Sequence, residues 1–274
     1  MTTSLISRAT PGSKYGQWAI VTGASDGIGK AFAELLAQAG FNLVVAARRR
    51  DVLAGLAKHL SDSHGVEVRP VTCDLGRPEG VALLEDATKE LNAGLLVAAA
   101  GFGTSGPFLS SDLNAELEMI DVNCRAVTAL AHAFGNRFVR RGGGAVLLLS
   151  SLVAFQGVPR AANYAATKVY VQTFAEGLRQ ELSGSGVEVL AVAPGPVRSG
   201  FGQRANMQMG MAQTPAEVAR GALRAIGTRG TVRPGVLAQF LELSLKPLPR
   251  WGRVRVMGLV MGGMTKHQYP AVQP

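Results

Sequence analysis

Thr22-Gly23-Ala24-Ser25-Asp26-Gly27-Ile28-Gly29 decides how this chain is read. The stretch follows the apolar run Trp18–Val21 and leads directly into a helix-forming segment, Gly29–Ala39. Residues without side chains let backbone N–H groups approach an anion closely, and the N-terminus of a helix adds favourable partial charge. A pyrophosphate suits such a strand–turn–helix cradle. The spacing is G-x-x-x-G-x-G rather than the more familiar G-x-G-x-x-G. Gly23, Ser25, Asp26, Gly27, Ile28 and Gly29 are the candidate contacts.

Outward from this turn the chain alternates short apolar runs with longer segments of helical period. Strands are expected at Trp18–Val21, Leu43–Ala47, Val66–Val71, Leu95–Ala99, Ala145–Leu149 and Val187–Val192. Helices are expected at Gly29–Ala39, Asp51–Ser63, Glu79–Leu91, Ala115–Arg140 and Asn163–Ser183. Alternation of this kind builds βαβ units, and right-handed crossovers then give an α/β fold with a doubly wound parallel sheet between two helical layers. Pro247 and Pro249 separate two apolar-basic stretches of the tail, which suggests a helical hairpin lying on the main body.

The second strand ends in Ala46-Ala47-Arg48-Arg49-Arg50. Sites for NAD usually carry a carboxylate about 20 residues after the glycines, where it binds the ribose 2′-hydroxyl. Arginine stands there instead, and a guanidinium pairs well with a 2′-phosphate that a carboxylate would repel. Arg48 and Arg49 therefore point to NADP(H), while Arg50 reads as the start of the next helix.

Tyr164 and Lys168 are four residues apart in a helical segment, which puts both on one face. A phenol ionises near pH 10, and a neighbouring ammonium would stabilise its phenolate and lower that value. Ser150-Ser151 ends an apolar strand thirteen residues before Tyr164. Ligands of open α/β sheets bind outside such strand ends.

Together these motifs resemble the short-chain dehydrogenase/reductase family in its single-domain, Rossmann-like form, over about residues 17 to 227. Gly23, Gly27 and Gly29 match its glycine turn, and Asp74-Leu75 matches the pair expected beside the adenine. Asn123, Ser151, Tyr164 and Lys168 match its four catalytic positions. Pro194-Gly195-Pro196-Val197 and Ser199 match the segment on the nicotinamide side. The resemblance implies that Tyr164 exchanges a proton with the substrate oxygen, and that Lys168 holds the nicotinamide ribose and lowers the phenol's pKa. Ser151 would donate to the carbonyl oxygen, and Asn123 would help hold a relay water; a helix-packing amide is the other reading of Asn123. One segment departs from the family. Its Asn-Asn-Ala-Gly is here Ala98-Ala99-Ala100-Gly101, which removes two amides but leaves Ala100 and Gly101 to approach the ribose.

A hydrophobic ketone or secondary alcohol is the expected substrate. Its lining would come from Phe102–Phe108, Leu152–Pro159 and the methionine-rich Gly200–Gln213 segment, with Phe102, Phe155, Val158 and Phe201 as candidate contacts. The Gly200–Gln213 segment reads either as a lid over an apolar cavity or as a surface loop whose methionines pack down. An NADP(H)-dependent carbonyl reductase leads the functional readings. An NADP+-dependent alcohol dehydrogenase working oxidatively, and a non-catalytic NADP(H)-binding sensor, stand beside it.

Composition sets the remaining bounds. The chain has 274 residues, 47% of them apolar, enough for one α/β core. Three parts are expected: an extension over 1–16, the main domain over 17–233 with a substrate loop at 196–213, and a basic apolar extension over 234–274. Cys73 and Cys124 imply no disulfide framework, and His59, His64, His132 and His267 form no metal-binding pattern, so no metal is expected. Neither a signal peptide nor a spanning helix is expected, and a cytoplasmic location follows. Of the net charge of +9, +7 lies from Pro215 onward. That basic tail reads as a weak membrane-surface contact, a cover over the substrate pocket, a subunit contact or a solvated surface. Nucleic acid is not expected, because no basic run interleaves with stacking aromatics. By analogy with the family, a homodimer or homotetramer would form through the helices carrying Asn123 and Tyr164.

Overall fold

The computed structural model describes residues 14–235 and 247–268. Seven parallel strands lie in the order β3-β2-β1-β4-β5-β6-β7. They are β1 (Trp18–Thr22), β2 (Asn42–Ala47), β3 (Val68–Thr72), β4 (Ala93–Ala98), β5 (Gly144–Leu149), β6 (Val187–Val192) and β7 (Thr231–Val232). The first six match the sequence expectation to within two residues at each end. β7 was not expected, because two residues paired only with the end of β6 carry no alternation to read.

The strand order reverses between β1 and β4, and ligands of open α/β sheets bind at such a switch point. α1 (Gly27–Gln38), α2 (Arg50–His64) and α8 (Pro215–Ala225) cover one face of the sheet. α3 (Pro78–Thr88), α5 (Ala126–Arg141) and α6 (Ala162–Glu181) cover the other. Central strands are buried on both sides, so they read as continuous apolar runs such as Leu147, Leu148 and Leu149. Alternate residues go to opposite layers: Val21 and Leu147 face α1 and α8, whereas Ile20 and Leu148 face α5 and α6.

The single helix expected over Ala115–Arg140 is in fact three pieces. α4 (Leu113–Ile120) passes into α5 through a π turn at Asp121–Arg125, and that turn buries Asn123 completely. One extra residue per turn re-aims a side chain, a common device at functional sites.

α8 lies outside the expected helices although its start was legible. Thr214 caps it, accepting from the Glu217 amide at 3.3 Å, while Glu217 accepts from the Thr214 amide at 2.8 Å. α7 (Gly200–Arg204) is a short turn in the methionine-rich segment. The second half of the expected hairpin is α9 (Arg250–Met264); the first half lies outside the described residues. Among the described residues no helix is long and apolar enough to cross a membrane.

Loss of the cap should loosen α8 from α1. Thr214→Ala is expected to cost about 1 kcal/mol, read from the urea midpoint, with Thr214→Ser close to the parent. Equal midpoints for all three would contradict the stabilising role of the cap.

Candidate active site

Every candidate residue of the sequence reading except Phe155 gathers at one edge of the sheet. The glycine turn follows β1, Arg48 and Arg49 follow β2, and Asp74 and Leu75 follow β3. Ala100 and Gly101 follow β4, Ser151 follows β5, and Pro194, Gly195, Val197 and Ser199 follow β6.

At the switch point the two loops approach until no side chain fits between them. A Cβ on Gly23, whose φ is +65°, would stand 2.8 Å from the Ala100 backbone, and one on Gly29 would stand 2.3 Å from the Gly23 carbonyl oxygen. The turn also touches the far side of the cleft. Asp26 accepts from the Gly200 amide at 2.8 Å, and a Cβ on Gly27 would meet the Ser199 side chain at 2.9 Å. The Ala98-Ala99 departure is bridged by another group. The Thr22 hydroxyl accepts from the Ala100 amide at 3.1 Å and donates toward the Val97 carbonyl at 3.5 Å, joining β1 to β4.

α6 carries Tyr164 and Lys168. The Ser151 hydroxyl lies close enough to the Tyr164 phenol to bear on its ionisation, and Lys168 Nζ lies 5.8 Å from the Tyr164 ring centroid. Lys168 is only 6% exposed and donates to the Leu149 carbonyl at 2.9 Å. Burial pushes its ammonium down to about 8, with the Cys124 side chain opposing. Burial likewise pushes the Tyr164 phenol up to about 12, and the Ser151 hydroxyl works against this. Loss of solvent thus moves the phenol in the direction opposite to the one a neighbouring ammonium would give. The Ser150 hydroxyl donates to the Lys168 carbonyl at 3.2 Å.

Asn123 ties this centre to the β4 loop. Its amide donates to the Phe102 carbonyl at 2.9 Å and to Thr167 Oγ1 at 3.0 Å, and it accepts from the Phe102 amide at 3.1 Å. Packing amide describes what the side chain does here. A Cβ on Gly101 would come within 2.9 Å of Asn123 Oδ1, which accounts for the glycine.

The apolar side of the site is only partly as expected. Phe201 stands 5.3 Å from Tyr164, ring to ring, and Phe102 and Val158 belong to the apolar groups around the same tyrosine. Phe155 does not join them. The 3₁₀ turn Leu152–Phe155 carries it under the Arg233 guanidinium, 4.3 Å away, and Val153 packs near Tyr164 instead. Of the methionines in the loop, Met207 is buried, Met209 packs partly beside it, and Met211 is exposed.

α9 contributes residues that sequence reasoning missed. Met257, Met261 and Met264 turn inward onto Val158, Ala165 and Met207, a stripe legible from its i, i+4, i+7 spacing. Trp251 and Leu259 stay exposed. Gln268 then donates to Ser105 Oγ at 2.8 Å and to the Asn206 carbonyl at 2.6 Å, and His267 meets Asn206 Oδ1 at 2.8 Å. These long-range polar contacts had no sequence signal. Cations complete the rim: Arg49 donates to the Ser25 hydroxyl at 3.1 Å, and Arg48 pairs with Glu118 at 2.8 Å.

The family profile described as short chain dehydrogenase matches residues 17–210, and the chain belongs to that family. The chain is 35% identical over 182 residues to a 7β-hydroxysteroid dehydrogenase of Clostridium sardiniense, covering 66% of this chain and 70% of the relative. It is 32% identical over 191 residues to the human inactive hydroxysteroid dehydrogenase-like protein 1, covering 69% of this chain and 58% of that protein. A solved 7β-hydroxysteroid dehydrogenase superposes with a TM-score of 0.83 at 27% identity, over 89% of this chain and 97% of the other. A short-chain dehydrogenase from Sphingobium yanoikuyae in complex with NADPH superposes with a TM-score of 0.75 at 31% identity, over 94% and 98%.

Cutting the contacts of the C-terminal turn should free the loop it holds. The His267→Ala/Gln268→Ala variant is expected to be cleaved severalfold faster by protease between residues 200 and 213, with unchanged far-UV circular dichroism. Equal cleavage rates would contradict a restraining role.

Proposed function

We propose that this chain is an NADP(H)-dependent reductase of hydrophobic ketones, able to run in reverse on the matching secondary alcohols. The observation that carries the proposal is the convergence of the Ser151 hydroxyl and the Tyr164 phenol beside buried Lys168, at the sheet edge next to the glycine turn. Arg48 and Arg49, at a strand end without a carboxylate, favour the phosphorylated cofactor, and the resemblance to an enzyme solved with NADPH agrees with them. Phe102, Val158 and Phe201 around Tyr164 favour an apolar substrate.

Gly23, Gly27 and Gly29 let the turn close against the Ala100 backbone and Ser199, a tight strand–turn–helix whose backbone N–H groups would hold a pyrophosphate, and Asp74, Leu75, Ala100, Gly101, Pro194, Gly195, Val197 and Ser199 would flank the rest of the dinucleotide. When bound, the nicotinamide supplies or accepts the hydride. The protein orients the reactants and manages the proton. Ser151 would donate to the carbonyl oxygen as negative charge develops there. Tyr164 would hand its proton to that oxygen. With its pKa near 12 the phenol is protonated throughout the neutral range, which is the form that reduction consumes. Lys168 would hold the ribose hydroxyls and favour the phenolate left behind, and it can do so only while charged.

The sign of the pH dependence follows. Lys168 carries its charge below about 8 and loses it above. For ketone reduction, kcat/KM is expected to be level from about pH 6 to 7.5 and to fall as pH rises through 8. Tyr164→Phe should lower kcat by at least about a thousandfold with NADPH affinity nearly unchanged. A rate that rises through pH 8, or an active Tyr164→Phe variant, would overturn the assignment of roles. The similarity to a relative named as inactive favours one second reading, an NADP(H) sensor; tight NADPH binding without turnover on a broad panel of ketones and alcohols would select it.

A further inference from the structure

One carboxylate oxygen of Glu118 accepts from two guanidiniums, Arg48 Nη1 at 2.8 Å and Arg204 Nη2 at 3.3 Å. The three residues come from separate elements: Arg48 from the end of β2, Glu118 from α4 and Arg204 from the end of α7. Arg204 is also laid over the Phe102 ring, its guanidinium carbon 3.5 Å from the centroid. Burial first, then Arg48, lowers its pKa, while Glu118 and Asp74 oppose, which places Asp74 within electrostatic reach of the same cluster.

Two cations share one carboxylate oxygen of Glu118, and with Asp74 counted the charges balance, so a preference for phosphate rests on the paired guanidinium forks rather than on surplus charge. A phosphomonoester carries about −1.5 to −2 charges and three strong acceptor oxygens, and matches two forked guanidiniums better than a single carboxylate does. The present pairs are exchangeable. Their side chains are 39–47% exposed, and ion pairs so open to water contribute little.

We propose that Glu118 is an internal stand-in for the 2′-phosphate of NADP(H), and that Arg48 and Arg204 together exchange it for that phosphate. This rests on the cofactor reading above and adds two residues to it. Arg204 becomes the second phosphate ligand, and Glu118 sets how strongly the phosphorylated dinucleotide is preferred. Arg204 belongs to the short helix whose Phe201 lies against Tyr164, so phosphate recognition at one end of the cleft would fix the cover over the other. The rival role for Glu118 is direct binding of the unphosphorylated ribose of NAD(H), since β2 ends without an acid.

Calorimetric titration of the full chain with 2′,5′-ADP, 5′-AMP, NADPH and NADH separates these roles without any turnover. Glu118→Gln is expected to tighten 2′,5′-ADP and NADPH by roughly threefold to tenfold while leaving 5′-AMP and NADH unchanged. Arg204→Ala should weaken 2′,5′-ADP by about tenfold, with Arg204→Lys recovering part of the loss because it keeps the charge but not the fork. Thermal unfolding of each variant shows that it is folded before titration. Loss of NADH affinity in Glu118→Gln, or unchanged 2′,5′-ADP affinity in both Glu118→Gln and Arg204→Ala, overturns the proposal. If those variants change nothing while Arg48→Ala abolishes a clear preference of the parent for 2′,5′-ADP over 5′-AMP, only this inference fails. If the parent shows no such preference, the NADP(H) reading fails with it.

Discussion

The hydrogen bond from the Lys168 ammonium to the Leu149 carbonyl is the constraint around which the site is built. An ammonium removed from water is unfavourable unless something accepts its protons, and burial here already draws its pKa down to about 8. The acceptor is the last residue of β5, so the charge is pinned to the sheet edge where the strand order reverses nearby. Tyr164 sits one helical turn earlier on the same face of α6, and Ser151 follows Leu149 by two residues. Phenol, charge and hydroxyl are thus placed by one helix register and one strand end. Loops decide what surrounds them.

Asn123 links that centre to the rest of the cleft. The π turn aims its amide between the Phe102 backbone and Thr167, which ties the β4 loop to α6. Phe102 supports Arg204, Arg204 reaches Glu118, and Glu118 reaches Arg48. Contiguous contacts therefore run from the phenol end of the cleft to the strand end expected to receive the adenosine. On the other side, Gln268 and His267 hold Asn206 and Ser105, so the segment after Ser199 is restrained from both ends. Under the proposed function, this restraint would bear on which ketones reach Tyr164.

Much of this was legible in the residues. The glycine turn, the apolar strands and the Tyr164–Lys168 spacing express local rules, a period of 3.6 for the helix and runs buried on both faces for a parallel sheet. The sheet followed from them, whereas the grouping of Asn123, Ser151, Tyr164 and Lys168 was implied by the family resemblance and not by periodicity or spacing. The π turn was not legible, because Asp121–Arg125 has the same composition as ordinary helix. The placement of Phe155 beside Arg233 was not legible either, because it depends on the 3₁₀ turn after Ser151. The Glu118 pairs and the Gln268 contacts join residues 62 to 163 positions apart, and no local periodicity encodes them. Burial of the Tyr164 phenol, which raises its pKa, was not legible for a related reason: spacing shows a nearby charge, but burial depends on the whole fold.

The central claim is that hydride moves between a nicotinamide ring and a carbonyl carbon at Tyr164. Single-turnover incubation of the protein with NADPH deuterated at the transferred C4 position and a bulky apolar ketone tests it, with mass spectrometry of the alcohol. One deuterium is expected in the product, bound to the former carbonyl carbon. An alcohol without that label, or no alcohol despite saturating NADPH, would contradict it.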